Sequence, residues 1–280
     1  MTNPKDTIDV LVIGAGIAGV SAACELAKSG ASVLLTEMEP HPGYHTTGQS
    51  AAIFSESYGN DLARTLTSAS KSFFESPPDG FCDHPLLSPR GALAVADRTC
   101  VGDLEDEEDG VAVAVTEDEI KRLSPLVRPD FAVAGVWYAS VSDIDVDALM
   151  QGFLKGFKSA GGQLLTNAEI LSLERVGAYW QAKTKAGTYC ASIVVNAAGA
   201  WADQIADLAG VGKIGLVPKR RTALTVDPGQ SPTNWPWSAE PLQRIAAALV
   251  KGGDVLKDVA AFGISAKQLA PDRLSANTHD

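Results

Sequence analysis

Residues 8–28 read IDVLVIGAGIAGVSAACELAK, and this stretch decides the fold. Ile8–Ile13 is apolar apart from Asp9 and rich in β-branched residues, which predicts a buried strand of a parallel sheet. The glycine turn at residues 14–19 (GAGIAG) then opens a predicted helix that continues to Lys28. A strand, a glycine turn and a helix in this order are typical of an α/β unit that binds a dinucleotide.

Each glycine of the turn has its own physical task. Gly14 permits the tight turn, Gly16 lets the backbone approach a pyrophosphate, and Gly19 lets the helix pack closely on the strand. A second strand, predicted for residues 31–37, ends at Glu37, where a carboxylate can accept a ribose hydroxyl. We therefore predict that these four residues bind the ADP half of a dinucleotide. The alternative is a glycine-rich turn followed by a solvent-facing glutamate.

The glycine motif does not separate NAD from FAD, but two later stretches do. Residues 45–52 (HTTGQSAA) form a small, hydroxyl-rich loop soon after Glu37, where a nicotinamide-binding domain normally continues into its next βα unit. Residues 192–201 run from an apolar strand into small residues, which indicates a second strand end at the ligand-binding edge of the sheet. Both stretches favour FAD. The predicted lining residues are His45, Thr46, Thr47, Gly48, Gln49, Ser50, Ala51, Ala52, Ala198, Gly199 and Trp201.

The composition agrees with a folded chain of two domains. The chain has 280 residues, of which 45% are hydrophobic and 20% are charged. Its net charge of −11 disfavours nucleic acid and anionic membranes as partners, because both are negatively charged. Four cysteines without a C-x-x-C pair favour a reducing cytoplasm. The apolar run at 10–23 is too short to span a bilayer, so we expect neither a membrane span nor a signal peptide.

The apolar periodicity predicts domains that are discontinuous in sequence. An acidic run at 103–109 is interpreted as a solvated loop, and we expect no metal site there, because like charges repel one another. Helices are predicted for 61–75 and 147–159, short strands for 91–96, 111–115 and 132–138, a β meander for 163–191, and a return to the first sheet at 193–195. We assign 1–76, 147–216 and 238–280 to an FAD-binding domain, and 77–146 and 217–237 to a substrate domain.

Six ordered motifs closely resemble the FAD-dependent D-amino-acid dehydrogenases and oxidases, with the D-arginine dehydrogenases as the nearest likeness. They are 14–19 with Glu37, 42–52, 81–90, 143–149, 195–201 and 218–221. The resemblance implies an α/β fold in which a Rossmann-like domain of the glutathione-reductase type carries a discontinuous, incomplete mixed-sheet substrate domain. It also implies that a hydride passes from the α-carbon of a D-amino acid to FAD. The imino acid then hydrolyses to a 2-oxo acid and ammonia. The implied partners are this small substrate and an electron acceptor, namely a quinone, a carrier or oxygen.

The same resemblance assigns roles to residues on the substrate side. It implies that Arg221 binds the substrate carboxylate, the alternative being a solvated strand edge. Tyr58 matches a tyrosine that approaches the substrate, the alternative being a core tyrosine. Ile53 and Ala92 stand where the D-arginine dehydrogenase pattern has a histidine and an acidic residue. We therefore expect a neutral or apolar D-amino acid rather than arginine.

Three residues near the predicted cofactor loop are open to more than one interpretation. His45 stands where some related amine dehydrogenases attach the flavin covalently, and we expect non-covalent binding here. Gln49 replaces an arginine of the resembling pattern, which weakens one phosphate contact. Trp201 is interpreted as a lid on the edge of the cofactor, with a core residue as the alternative.

His41 and His84 lie beside prolines in turns and are expected at the surface.

The resembling proteins carry a further stretch between the positions that match Trp237 and Ser238. It holds a second carboxylate-binding arginine and a glycine-rich flavin loop. A second hypothesis is therefore a truncated, non-catalytic remnant that binds FAD weakly or not at all. A third, an NAD-dependent dehydrogenase, is disfavoured by the loop after Glu37.

Overall fold

The structure is a computed structural model that describes residues 7–50, 52–98, 112–124, 127 and 132–219. The predictions for Ala51, for the acidic run 103–109, for Arg221 and for the segments after residue 219 lie outside these ranges. The described residues divide into two compact units. The first comprises 7–50, 72–86 and 145–219, and the second comprises the described residues of 52–71 and 87–144.

The helices and strands of the described residues follow one another along the chain in this order: β1 (Ile8–Ile13), α1 (Ile17–Lys28), β2 (Val33–Thr36), β3 (Ile53–Phe54), α2 (Asp61–Glu75), β4 (Leu87–Pro89), β5 (Ala92–Ala96), β6 (Ala112–Val115), α3 (Glu117–Leu123), β7 (Ala134–Tyr138), β8 (Ser142–Ile144), α4 (Val146–Ser159), β9 (Gln163–Leu165), β10 (Ile170–Val176), β11 (Tyr179–Thr184), β12 (Gly187–Asn196), a short 3-10 turn (Gly199–Trp201) and α5 (Ala202–Leu208). These bounds confirm the strand, turn and helix predicted at the start of the chain, and the predicted helix at 61–75.

The first unit is built on a mixed six-stranded sheet with the order β10-β11-β12-β1-β2-β9. β12 pairs in parallel with β1 and antiparallel with β11, and its Ala191 is the residue where both pairings meet, opposite Ile8 and Trp180. The predicted return of 193–195 to the first sheet is thereby confirmed. The predicted meander is wrong at its start, because β9 pairs in parallel with β2 at the opposite edge. Helix α4 leads directly into β9, which joins the sheet beside β2 and makes no hairpin with β10.

The core of the first unit lies on both faces of the sheet. On one face Val10 and Val12 pack with buried residues of α1, β2 and α4, including Phe157. On the other face Leu11 and Ile13 pack with residues of β10, β11 and α5. Burial of each such side chain contributes roughly 1.5–3 kcal/mol. The apolar run Val10–Ile13 of β1 therefore reflects a part of the strand that is buried on both faces, whereas Asp9 before it is exposed.

The second unit contains two three-stranded antiparallel sheets, β3-β8-β4 and β5-β7-β6. The strands predicted near 91–96, 111–115 and 132–138 form the latter. Arg90 and Asp143 are joined by an ion pair of 2.8 Å beside the former. The sequence-based division placed 52–71 with the cofactor domain and 77–86 with the substrate domain. In the structure 52–71 belongs to the second unit, and 77–86 belongs to the first unit, which contains the glycine turn. The assignment of either unit to cofactor or substrate stays a prediction. Among the described residues no helix is both long and apolar enough to cross a lipid bilayer.

Asp145 caps the N-terminus of α4, and Asp145→Ala is expected to lower the free energy of unfolding by about 1 kcal/mol at neutral pH. Its carboxylate accepts the amide of Ala148 at 2.9 Å and contacts Nε2 of His84 at 3.0 Å. The amide hydrogen bond, more than the histidine, lowers the pKa of Asp145. A lowered pKa means that the stabilisation is complete above the ordinary pKa of an aspartate, about 4, and is lost as the pH falls below it.

Urea unfolding at neutral pH and at about pH 3 tests this effect, because the deficit of Asp145→Ala is expected to shrink as the wild-type carboxylate takes up its proton. Asp145→Asn keeps an acceptor and is the matched control, with a smaller loss. His84→Ala removes only an exposed pair and is expected to cost less than about 1 kcal/mol. A deficit of the same size at both pH values would contradict the assignment.

Candidate functional site

The glycine turn brings three strand ends together at one edge of the sheet. Gly14 has φ of +98° and donates its amide to the carbonyl of Thr36 at 2.8 Å. The amide of Ala197, directly after β12, donates to the carbonyl of Ile13 at 2.9 Å. A Cβ at Gly14 would lie 2.5 Å from the carbonyl oxygen of Ala197. Only glycine fits a positive φ at this close approach, so the predicted need for a glycine is explained.

The other two glycines set how α1 meets the turn. A Cβ at Gly19 would lie 1.8 Å from the carbonyl oxygen of Gly14, so the helix packs on the backbone of the turn itself. Gly16 is the N-cap of α1, has no side-chain cap of its own, and no acidic residue follows in the first turn. A Cβ added there would meet Oγ1 of Thr47 at 3.2 Å. Backbone amides at a helix N-terminus suit the pyrophosphate of a dinucleotide.

Glu37 lies at the end of β2 with only 7% of its surface exposed. Its Oε2 accepts the amide of Ala15 at 2.9 Å, and its Oε1 accepts the amide of Glu39 at 3.0 Å. The alternative of a solvent-facing glutamate is therefore wrong. Each carboxylate oxygen has a second lone pair, so the group still has the capacity to accept ribose hydroxyls. Its place beside the glycine turn fits the ADP half of FAD.

The loop at residues 39–50 is fastened onto the glycine turn. The amide of Gly43 donates to the carbonyl of Ala15 at 3.0 Å, and Oγ1 of Thr47 accepts the amide of Ile17 at 3.1 Å. Gly48 donates its amide to the carbonyl of Gly43 at 2.7 Å, and a Cβ there would lie 2.4 Å from that oxygen. Gly16 has no side chain that could cap α1, so the hydroxyl of Thr47 in this loop caps the helix instead.

The remaining side chains of the loop differ in what they contact. Thr46, Gly48, Gln49 and Ser50 are exposed. The side chain of Gln49 donates to the carbonyl of Tyr44 at 3.2 Å, within its own loop. Nε2 of His45 lies 2.9 Å from Oε1 of Glu39. The role of each in cofactor binding stays a prediction.

The end of β12 forms the opposite side of the site. The side chain of Asn196 accepts the amide of Ala198 at 3.3 Å and donates to the carbonyl of Ala202 at 2.8 Å. Gly199 has φ of +54°. The ring of Trp201 is half-buried and lies 4.6 Å from the ring of His45, centroid to centroid. This contact joins the loop to the β12 end, and it places Trp201 at the site rather than in the core.

The sequence did not single out Glu39 and Asn196. Asn196 stands at the last position of a strand, and Glu39 stands two residues after Glu37, but a turn asparagine and a surface glutamate have the same local pattern. Asn167 was also missed; its amide donates to the carbonyl of Glu39 at 3.0 Å, and its own φ is +53°. The contact between Asn167 and Glu39 joins residues that are far apart in sequence, so local patterns do not predict it.

The described substrate-side residues belong to the second unit, whereas the glycine turn belongs to the first. Tyr58 lies in the second unit and is 68% exposed, so the alternative of a core tyrosine is wrong. Ala52 is in the same unit, has φ of +46°, and its carbonyl accepts the amide of Ile144 at 2.8 Å. Ile53 and Ala92 are half-buried there. His41 and His84 are exposed, which confirms their expected place at the surface.

Comparisons with known proteins identify the family of the chain. A family model described as FAD dependent oxidoreductase matches residues 9–255. Human mitochondrial dimethylglycine dehydrogenase is 25% identical over 220 residues, which are 75% of this chain and 25% of that protein. Glycerol 3-phosphate dehydrogenase of Caloramator mitchellensis is 25% identical over 230 residues, 76% of this chain and 46% of that protein. The chain thus spans between a quarter and just under half of the length of these relatives.

Solved structures show the same fold. The glycine oxidase of Geobacillus kaustophilus aligns with a TM-score of 0.64 at 20% identity, over 74% of this chain and 59% of that one. The L-proline dehydrogenase of P. horikoshii aligns with a TM-score of 0.62 at 23% identity, over 78% of this chain and 59% of that one. The predicted α/β fold and the predicted cofactor are confirmed. The chain belongs to the FAD-dependent oxidoreductase family, whose members bind FAD.

Proposed function

We propose that this protein oxidises D-amino acids with non-covalently bound FAD. The observation that carries this proposal is the hydroxyl-rich loop fastened over the glycine turn, where Thr47 caps α1 and Glu37 is buried beside it. A nicotinamide-binding domain normally continues into its next βα unit at this point. A flavin, in contrast, needs protein contacts beyond those to its pyrophosphate. Family membership supports the same cofactor.

Bound FAD supplies a two-electron acceptor for the hydride of the substrate α-carbon. The residues of the chain bind the cofactor and orient it. The amides at the N-terminus of α1 hold the pyrophosphate, and Glu37 accepts the hydroxyls of the adenosine ribose. The contact between His45 and Trp201 closes the site on the side of β12. Since Nε2 of His45 is already engaged by Glu39, non-covalent binding is the simpler arrangement.

On the substrate side we assign to Arg221 the binding of the amino-acid carboxylate, because a guanidinium offers two parallel donors to the two carboxylate oxygens. Tyr58 approaches the substrate as a polar phenol. Ile53 and Ala92 leave no counter-charge for a cationic side chain, so a neutral or apolar D-amino acid is preferred over D-arginine. The names of relatives support an amino acid or a similar amine, since they include a glycine oxidase and a dimethylglycine dehydrogenase. The D configuration rests on the motif resemblance to D-amino-acid dehydrogenases.

The reaction needs an acceptor that reoxidises the flavin, which we take to be a quinone, a carrier or oxygen. The cysteine pattern places the enzyme in the cytoplasm. The imino acid leaves the site and hydrolyses in water to a 2-oxo acid and ammonia.

The test begins with the purified 280-residue chain, its intact mass compared with 29.2 kDa, and its visible spectrum. We expect a yellow protein that binds added FAD, and whose flavin absorption is bleached anaerobically by neutral D-amino acids faster than by their L enantiomers or by D-arginine. Bleaching by both enantiomers alike would exclude the D configuration. A chain that binds no FAD would be the non-catalytic remnant.

Neighbouring arginines supply a matched pair for the substrate contact. Arg221→Met is expected to raise the KM for the D-amino acid by roughly tenfold to a hundredfold, as expected when charge-assisted hydrogen bonds of about 1.5–3 kcal/mol are lost. Arg220→Met removes the same charge one residue earlier and is expected to change KM little. Equal effects of the two substitutions would assign the arginines to general surface charge.

A further inference from the structure

Glu39 and His45 form a partly buried pair in the first unit, beside the glycine turn. Oε1 of Glu39 lies 2.9 Å from Nε2 of His45, and the two side chains are 28% and 35% exposed, so the pair is shielded from much of the solvent. The ring of His45 also lies 5.1 Å from that of Tyr44 and 4.6 Å from that of Trp201, centroid to centroid. The imidazole is therefore held on three sides.

The backbone of Glu39 is held independently of its side chain. Its amide donates to Oε1 of Glu37 at 3.0 Å, and its carbonyl accepts the amide of Asn167 at 3.0 Å. Removing the side chain of Glu39 leaves both hydrogen bonds intact. The carboxylate of Glu39 thus contacts the ring of His45, and it is not needed to hold the backbone of the loop in position.

His45 connects the two sides of the glycine turn. Two residues after it, Thr47 accepts the amide of Ile17 at the N-terminus of α1. Across the site, the ring of His45 contacts Trp201, which follows the end of β12. A rotation of this ring would break the contact between the loop and the β12 end.

The carboxylate also selects the tautomer of the ring. A carboxylate only accepts hydrogen bonds, so Nε2 of the neutral imidazole must carry the proton, and Nδ1 then carries a lone pair. Glu39 and the phenol of Tyr44 are ionisable groups that contact the ring of His45, and the ring of His41 lies 5.0 Å from that of Tyr44. Among these, only Glu39 makes a hydrogen bond with the ring of His45.

We propose that Glu39 is a positioning residue that holds the ring of His45 in one orientation and one tautomer, so that Nδ1 serves as a hydrogen-bond acceptor for a hydroxyl of the bound cofactor. The inference rests on the proposed function, in which FAD is that cofactor. FAD offers such hydroxyls on its ribityl chain, which ADP lacks. Glu39 therefore distinguishes the flavin half of the ligand from the ADP half, which Glu37 and the glycine turn bind.

The test compares Glu39→Ala with the conservative variant Glu39→Gln in the full chain. Calorimetric titrations use FAD and, separately, ADP. Glu39→Ala is expected to weaken FAD binding by at least about tenfold, the scale on which losing a carboxylate that orients a histidine acts in other sites, and to leave ADP binding within about twofold. Glu39→Gln is expected to restore most of the FAD affinity, because its amide oxygen accepts the same N–H.

A spectroscopic measurement separates positioning from a general effect on the loop. In protein labelled with nitrogen-15 at histidine, the proton on Nε2 of His45 is expected to be visible in the wild type and in Glu39→Gln, and to be lost to exchange in Glu39→Ala. FAD binding that is equal in all three proteins would overturn the inference and leave the proposed function standing. Loss of ADP binding in Glu39→Ala would also overturn it, by assigning Glu39 to loop folding. A wild-type chain that binds neither FAD nor ADP would overturn both.

Discussion

Gly19→Ala is expected to destroy the folded state of the first unit. The added Cβ would lie 1.8 Å from the carbonyl oxygen of Gly14 and 3.0 Å from its carbonyl carbon. These atoms belong to a turn that is itself hydrogen-bonded to Thr36, so neither side of the contact is free to move. Overpacking against a fixed backbone is expected to cost more than about 3 kcal/mol, a large part of the stability of a domain. Circular dichroism and urea unfolding measure the loss.

Two other glycines supply controls for this substitution. Gly212→Ala adds a Cβ with no atom within 4 Å, and we expect wild-type stability. At Gly16 the added Cβ meets only the hydroxyl of Thr47 at 3.2 Å, so Gly16→Ala is expected to fold but to bind FAD weakly, because the methyl group fills the space of the pyrophosphate. A Gly19→Ala protein with the stability of Gly212→Ala would contradict the close packing of α1 on the turn.

Glu37→Gln is expected to weaken FAD binding by roughly a hundredfold or more while keeping the shape of the side chain. In the wild type both carboxylate oxygens accept backbone amides, from Ala15 and Glu39. An amide side chain must turn its NH₂ group toward one of these donors, which leaves that buried donor unpaired and lowers the free energy of unfolding by about 1–3 kcal/mol unless the side chain turns away from this place. It also removes the charge that strengthens a hydrogen bond to a ribose hydroxyl. Titration with FAD and with ADP measures the loss, which we expect for both ligands.

The matched control is Glu25→Gln, which removes a carboxylate of the same unit that pairs with Lys28 at the surface. Such exposed pairs contribute little, so stability and FAD affinity are expected to stay close to those of the wild type. If Glu37→Gln bound FAD and ADP as tightly as Glu25→Gln does, Glu37 would have no part in the ribose site.

The sequence predicted those elements whose signals are local. The bounds of α2 agree with the predicted helix at 61–75, and β1, α1 and β2 follow in the expected order. Helical and strand periodicity is set by neighbours a few residues apart, so one sequence is enough to reveal it. The position of β9 was predicted wrongly, because a short apolar run looks the same whether it pairs with the next strand or with one across a helix.

By itself the sequence determined the strand, turn and helix of the first unit, the need for glycine at Gly14 and Gly19, and the family motifs that point to FAD. The tertiary structure decided which side chains act together. It buried Glu37 against two amides, gave the hydroxyl of Thr47 to the N-terminus of α1, and set His45 between Glu39 and Trp201. These contacts join strand ends that meet only when the parallel sheet forms. Their energy depends on that long-range pairing, whereas the pattern along the chain records only which residues are apolar, small or charged.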